Sequence, residues 1–173
     1  MSASDEALPF FVYGTLRSGG CNHAAHLAGR CADIRPAVLD GAALHDGPGY
    51  PYAVPDATPG RRVVGELVTI RPGAYAGALI ALDLLEGCRA DGTGLYVRRR
   101  LTVRTEAGAG AATAGAVGEV GGAGAVGRVG TGSGELREAW VYLAGPAVAA
   151  RLRTRPAVID SGDWTERGDG AGG

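Results

Sequence analysis

The sequence predicts an α+β fold, a small curled or barrel-like mixed sheet carrying one or two helices. Three observations predict it. Five runs rich in Val, Leu and aromatic residues are bounded by turn residues; one stretch between them has clean helical spacing; and a glycine- and alanine-rich stretch separates the last two strand-like runs. At 173 residues the chain fits one domain, 1–173, long enough to bury a core without disulfides or metal clips.

Residues 9 to 14 read as a buried strand, Phe10-Phe11-Val12-Tyr13, that runs straight into Gly14-Thr15-Leu16-Arg17-Ser18-Gly19-Gly20. A glycine-punctuated turn at a strand-to-helix junction exposes successive backbone N–H groups. Such a concave nest attracts a phosphate, a carboxylate or the oxyanion of a reacting amide. A short helix over about Asn22 to Leu27 follows. Residues 33 to 45 form an extended segment with a break offered at Asp40-Gly41, and residues 61 to 70 show Val/Leu-rich alternation. Between them, Gly47-Pro48-Gly49-Tyr50-Pro51-Tyr52 is turn chemistry with two aromatics attached, either a rigid pocket wall or a loop packed on the core.

The second helix starts near Gly73 or Ala74, after Pro72. It sets Tyr75, Leu79, Leu82 and Leu85/Glu86 along one face and stops at Gly87, a natural C′ residue. Residues 95 to 105 and 136 to 143 are two further strands. The stretch 107 to 134 between them holds 11 Gly and 8 Ala among 28 positions, with one charge of each sign. Glycine at that density raises the entropy cost of ordering, and few large side chains are present to offset it by burial, so a flexible insertion bridging a hairpin is expected. It lacks the G-x-x-x-x-G-K-[ST] pattern of a phosphate cradle.

Composition excludes several classes. The net charge is −1, from 17 basic and 18 acidic residues, and every basic residue is Arg. No basic excess marks a nucleic-acid surface. Arg98-Arg99-Arg100 reads as a mostly solvated strand face. Cys21, Cys31 and Cys88 form no C-x-x-C pair and have no interleaved His at zinc spacing, which implies a reduced, cytoplasmic chain without a metal. The N-terminal residues lack a basic segment followed by an apolar core, and the longest apolar stretch, Ala74 to Leu85, is too short to span a bilayer, so neither export nor membrane insertion is expected.

Glu86 is the most informative titratable residue. A carboxylate at a helix C-terminus faces the negative end of the macrodipole, and that end together with Leu82 and Leu85 pushes its pKa upward, toward the range of a general base working near neutrality. The plainer alternative is a solvated helix-end acid. Asp83, on nearly the same face, is a weaker candidate that can instead pair with an Arg such as Arg89. In Cys21-Asn22-His23 the thiol and imidazole lie two positions apart and point away from each other on a helix, so a thiol amidase would need His26 or His45 to fold in.

Taken in order, Tyr13-Gly14-Thr15-Leu16-Arg17, Gly19, Asn22-His23, Gly49-Tyr50-Pro51, Leu82-Asp83-Leu84-Leu85-Glu86-Gly87, Tyr96-Val97-Arg98, Ala139-Trp140-Val141-Tyr142 and Ser161-Gly162-Asp163-Trp164 resemble the γ-glutamylcyclotransferase-like family. The resemblance implies a small barrel-like fold in which the tyrosine-glycine loop and a helix-borne glutamate line one cavity. It implies release of 5-oxoproline and a free amine from a small γ-glutamyl amine or peptide, with no cofactor or metal. Glu86 is then the catalytic acid and base, and Tyr13, Gly14, Thr15, Leu16, Tyr50 and Tyr96 bind substrate. Thr15 stands where relatives often carry Ser, and Gly87-Cys88-Arg89-Ala90-Asp91-Gly92-Thr93 is expected to shape the leaving-group side.

Two other classes compete: a non-catalytic binding or regulatory module on the same pocket, and a thiol-dependent amide hydrolase built on Cys21 or Cys88. The sequence leaves open the departing amine, the oligomeric state and the role of 107–134.

Overall fold

A computed structural model describes residues 7–106, 134–154 and 157–166. Its strands are β1 (Phe10–Val12), β2 (Cys31–Asp40), β3 (Ala42–His45), β4 (Tyr52–Pro55), β5 (Arg62–Ile70), β6 (Tyr96–Thr105) and β7 (Leu136–Ala144). Its helices are α1 (His23–His26), α2 (Tyr75–Leu85) and α3 (Pro146–Thr154), with single 3-10 turns at Pro72–Ala74 and Trp164–Glu166. Five strands close into a barrel in the order β1-β5-β2-β6-β7, and β3 and β4 form a separate antiparallel pair. Every barrel pairing is antiparallel except the closing one, where Phe10 and Phe11 of β1 run parallel to Trp140 and Val141 of β7.

The continuous apolar reading of β1 follows from its surroundings. Alternate side chains of a strand point to opposite faces, and here both faces are covered. Phe10 and Val12 join a cluster with Ala78 and Leu82 of α2 and Val148 of α3. Phe11 joins a second with Val63, Leu67, Val103 and Val141 of the barrel and Leu44 and Ala53 of the side sheet.

The extended segment 33–45 does break where Asp40-Gly41 offered it. Gly41 takes φ +75°, ending β2 in the barrel and letting β3 leave for the side sheet. Helix α2 begins one or two residues later than expected because Pro72–Ala74 winds as a 3-10 turn first. It ends as expected: the Glu86 N–H bonds to the Leu82 carbonyl at 2.9 Å, and Gly87 adopts φ +59°.

Strand β4 and helix α3 were not anticipated. Strand β4 is four residues long, follows Pro51, ends on Pro55 and pairs with β3. Helix α3 has its proline at the first position, where the missing N–H costs nothing, and buries Val148 and Ala149. The strands flanking the predicted insertion 107–134 pair with each other from Tyr96↔Ala144 to Arg104↔Leu136; residues 107–133 lie outside those described.

The arginine triplet departs from a solvated face. Arg99 and Arg100 are exposed, but Arg98 is half-buried, its Nη1 2.6 Å from Asp83 Oδ2 and its guanidinium 4.9 Å above the Trp140 ring. Asp83 therefore pairs with an arginine on a neighbouring strand rather than with Arg89. No helix among the described residues is long and apolar enough to cross a membrane.

Within α2, Leu82 is 0% exposed and Leu84 is 78% exposed. Leu82→Ala is expected to cost about 2–5 kcal/mol of unfolding free energy, and Leu84→Ala about 0.5 kcal/mol or less, by urea denaturation. Equal losses in the two variants would contradict this packing.

Candidate active site

The loop after β1 is held from several directions. Arg17 N–H bonds to the Gly14 carbonyl at 3.1 Å, and Asn22 N–H to the Thr15 carbonyl at 3.0 Å. The Asn22 side-chain amide donates to the Thr15 hydroxyl at 2.9 Å. The His23 ring Nδ1 lies 3.0 Å from the Leu16 carbonyl, to which its N–H donates in that tautomer. Further along, the Ser18 amide and hydroxyl both donate to Glu66 Oε2, and Arg17 pairs with Asp163 at 2.7 Å. These contacts use carbonyls and side chains. Among the described residues, the amide N–H groups of Gly14, Thr15 and Leu16 meet no acceptor. Three consecutive donors beside the cavity are thus unspent, which an anion nest needs.

Gly14 is required here by space. A Cβ built on it would lie 2.7 Å from Cδ of Pro51, so only glycine lets the Gly49-Tyr50-Pro51 turn close against the loop.

Loop and turn together wall a cavity of about 310 Å³. All seven sequence-predicted site residues, Tyr13, Gly14, Thr15, Leu16, Tyr50, Glu86 and Tyr96, line it. Sequence reasoning missed Leu95 and Tyr142 as lining residues. Strand alternation puts Tyr142 on the same face as Tyr96 only once the β6–β7 register is known, and that register was not legible.

Glu86 enters from the end of α2 and is half-buried. Among the described residues its carboxyl group makes no hydrogen bond or ion pair. Burial without a compensating partner disfavours the charged form and pushes the pKa up to about 7. The tyrosines around it respond in turn: Tyr13 and Tyr96 are pushed well above the usual phenol range, first by burial and then by charges that include Glu86. They stay protonated at neutral pH and serve as donors or packing surfaces, not as bases.

Tyr13, Tyr96 and Tyr142 are each fixed by the hydroxyl. Tyr13 Oη donates to the Tyr142 carbonyl at 2.5 Å and accepts from the Ala53 N–H at 3.2 Å. Tyr96 Oη donates to the Pro51 carbonyl at 2.6 Å. Tyr142 Oη donates to Asp83 Oδ1 at 2.7 Å, while Arg98 holds the other oxygen of the same carboxylate. Asp83 thus supports the cavity from behind and is not paired with Glu86. Tyr52 stacks on Tyr96 with ring centroids 4.9 Å apart, and Tyr50 meets the Tyr52 ring edge-on at 5.5 Å.

Cys21 lines the cavity, and neither His26 nor His45 does: His45 lies on β3 against a different hollow, and the His23 ring is occupied by the Leu16 carbonyl. Cys88 packs against the apolar cluster of α2.

The sequence pattern of the family described as gamma-glutamyl cyclotransferase, AIG2-like, matches residues 10–166. No curated protein matches the chain. Among solved structures, YkqA from Bacillus subtilis is similar at 20% identity and a TM-score of 0.53, covering 92% of this chain; the chain spans only 40% of YkqA. An AIG2-like protein from Mus musculus is similar at 21% identity and a TM-score of 0.52, over 83% of this chain and 82% of its own. A gamma-glutamyl cyclotransferase specific to glutathione from yeast is similar at 12% identity and a TM-score of 0.52, over 83% of this chain and 72% of its own. At these identities the likeness is one of fold.

Because the pKa of Glu86 is raised from 4.5 in the unfolded chain to about 7 in the folded one, its contribution is intact below pH 4.5 and lost as pH rises through about 7. Denaturation of the wild type and Glu86→Gln between pH 4 and 8 should show the wild type losing on the order of 2–3 kcal/mol relative to the variant. Parallel pH profiles would mean that Glu86 titrates normally.

Proposed function

The chain belongs to the gamma-glutamyl cyclotransferase, AIG2-like family, and on that premise we propose that it releases 5-oxoproline and a free amine from a small γ-glutamyl substrate, with Glu86 as the proton carrier. The observation that carries this reading is an unpaired, half-buried carboxyl group of raised pKa sharing one cavity with three unspent backbone amides.

The substrate binds with its α-ammonium toward Glu86 and its side-chain amide carbonyl toward the amides of Gly14, Thr15 and Leu16. Ionised Glu86 takes one proton from the α-ammonium, and the freed amine attacks the side-chain carbonyl carbon, forming the ring C–N bond. The carbonyl electron pair moves onto oxygen, and the loop N–H donors stabilise that oxyanion in a site of low dielectric. Glu86 returns its proton to the departing nitrogen, the old amide C–N bond breaks and the carbonyl re-forms. A second proton follows from the ring nitrogen to the amine, which leaves as an ammonium. Two protons move in all, and Glu86 ends ionised as it began.

Nucleophile and carbonyl belong to one molecule, so holding the glutamyl chain folded supplies much of the rate; well-oriented intramolecular reactions gain up to about 7–11 kcal/mol from geometry alone. The aromatic walls fixed by the Tyr13, Tyr96 and Tyr142 hydroxyls support this role because they leave little freedom in the cavity shape.

A panel of γ-glutamyl amides and peptides, assayed for 5-oxoproline, tests the proposal. Activity is expected in the wild type, with Glu86→Gln lower by about 10²-fold or more, the range for loss of a general acid–base group. The kcat/KM profile should fall as pH drops below about 7, because Glu86 must be ionised to accept a proton. Activity unchanged in Glu86→Gln, or a limb near pH 4.5, would remove Glu86 from the reaction.

A further inference from the structure

A second hollow, of about 380 Å³, shares no lining residue with the cavity that holds Glu86. Its size falls in the range of small-molecule sites, about 300–1,000 Å³. Three walls enclose it: the end of β4 and the residues just past it, with Val54 and Asp56; the last turn of α3, with Leu152 and Arg153; and His45 of β3 beside Val158. The place of His45 is fixed by main-chain pairing on both edges of β3. It faces Tyr52 of β4 on one side and Val158 on the other, where the Asp46 N–H bonds to the Ala157 carbonyl and the Ile159 N–H to the Leu44 carbonyl.

His45 is 5% exposed, and among the described residues neither ring nitrogen meets a hydrogen-bond partner; Nδ1 is closed to solvent as well. A buried polar group with its bond unmade costs about 1–3 kcal/mol, and the chemistry at Glu86 makes no use of this ring. Burial pushes its pKa down, so at neutral pH the imidazole is uncharged and offers one N–H donor and one acceptor. Charges of both signs act on it: Asp56 favours its protonated form, while Arg61 and Arg153 oppose it. Arg61 is already engaged, 2.9 Å from Asp160 and 3.8 Å from Asp56. Arg153 has no ion-pair partner among the described residues.

We propose that this hollow takes a free α-amino acid with an apolar side chain, bound as its zwitterion. Asp56 and Arg153 stand on different walls and both reach the His45 ring electrostatically, so a ligand lying between them presents its ammonium to the one and its carboxylate to the other. A ligand of a single sign leaves one of these two charges unmatched. The neutral imidazole serves either end, donating its N–H to the carboxylate or accepting from the ammonium. Buried Val54 and half-buried Leu152 and Val158 give the hydrocarbon side chain an apolar wall.

Leucine, 4-methylpentanoate and isopentylamine test this, because the second lacks only the ammonium and the third only the carboxylate. Titrated into the wild-type protein, leucine is expected to bind saturably by calorimetry and to shift the His45 ring signal in NMR, identified by its loss in His45→Gln. Each singly charged analogue should bind at least about fivefold more weakly. Asp56→Asn and Arg153→Gln, at half-buried and exposed positions, should each weaken leucine binding by about fivefold, whereas Glu86→Gln should leave it unchanged. Absence of saturable leucine binding would mean that water alone fills the hollow, and it overturns the proposal. So does equal binding of either analogue, leucine binding that persists in both Asp56→Asn and Arg153→Gln, or its loss in Glu86→Gln.

Discussion

The hydroxyl of Tyr13 is the point on which the architecture turns. It donates to the carbonyl of Tyr142 on β7 and accepts from the amide of Ala53 on β4, joining the barrel seam to the side sheet through one buried atom. A buried phenol with both capacities used is stable where it lies; one with either unused would cost about 1–3 kcal/mol. The loop that begins at Gly14 therefore leaves the barrel from a rigid origin. Its three amides, which meet no acceptor among the described residues, are spaced by that anchoring and by the contacts of Thr15, Leu16 and Ser18.

Against this rigid wall, Glu86 is placed where local forces oppose its charge. It caps a helix C-terminus, where carbonyl dipoles favour cations, and lies half-buried with no partner among the described residues. The neighbouring carboxylate, Asp83, received the opposite treatment: Arg98 and Tyr142 satisfy both of its oxygens. Two acids three residues apart along the chain thus have divided environments, one with both oxygens taken by partners and one with its pKa raised by burial. Separation of this kind is how a single fold assigns a structural and a reactive role to the same side-chain chemistry.

Features encoded within a few residues were legible in the sequence: the buried β1 run, the glycine turn after it, the break at Gly41, and α2 with its stop at Gly87. Each rests on local chemistry, whether alternation, positive φ or helical spacing. Features set by distant contacts were not. Strand β4 pairs with the edge that β3 offers, and Pro51 before it and Pro55 at its end obscure it. Helix α3 is nine residues long, buries Val148 and Ala149, and shows little beyond its first-position proline. Arg98 reads as one of three surface arginines until α2 brings Asp83 to it. The cavity followed the same rule: Glu86 and the loop stood out singly, whereas Tyr142 and Leu95 join them only through the barrel register.

The parallel contact of β1 with β7 has a consequence for synthesis. The first and last staves of the barrel are separated by almost the whole chain, and the Tyr13–Tyr142 bond spans 129 positions. Until β7 leaves the ribosome, Phe10 and Phe11 lack one neighbour and the Gly14 loop has no fixed origin. Closing contacts of such long range makes for slow folding. The wall that carries the Gly14 loop is therefore complete only after the last strand has been made.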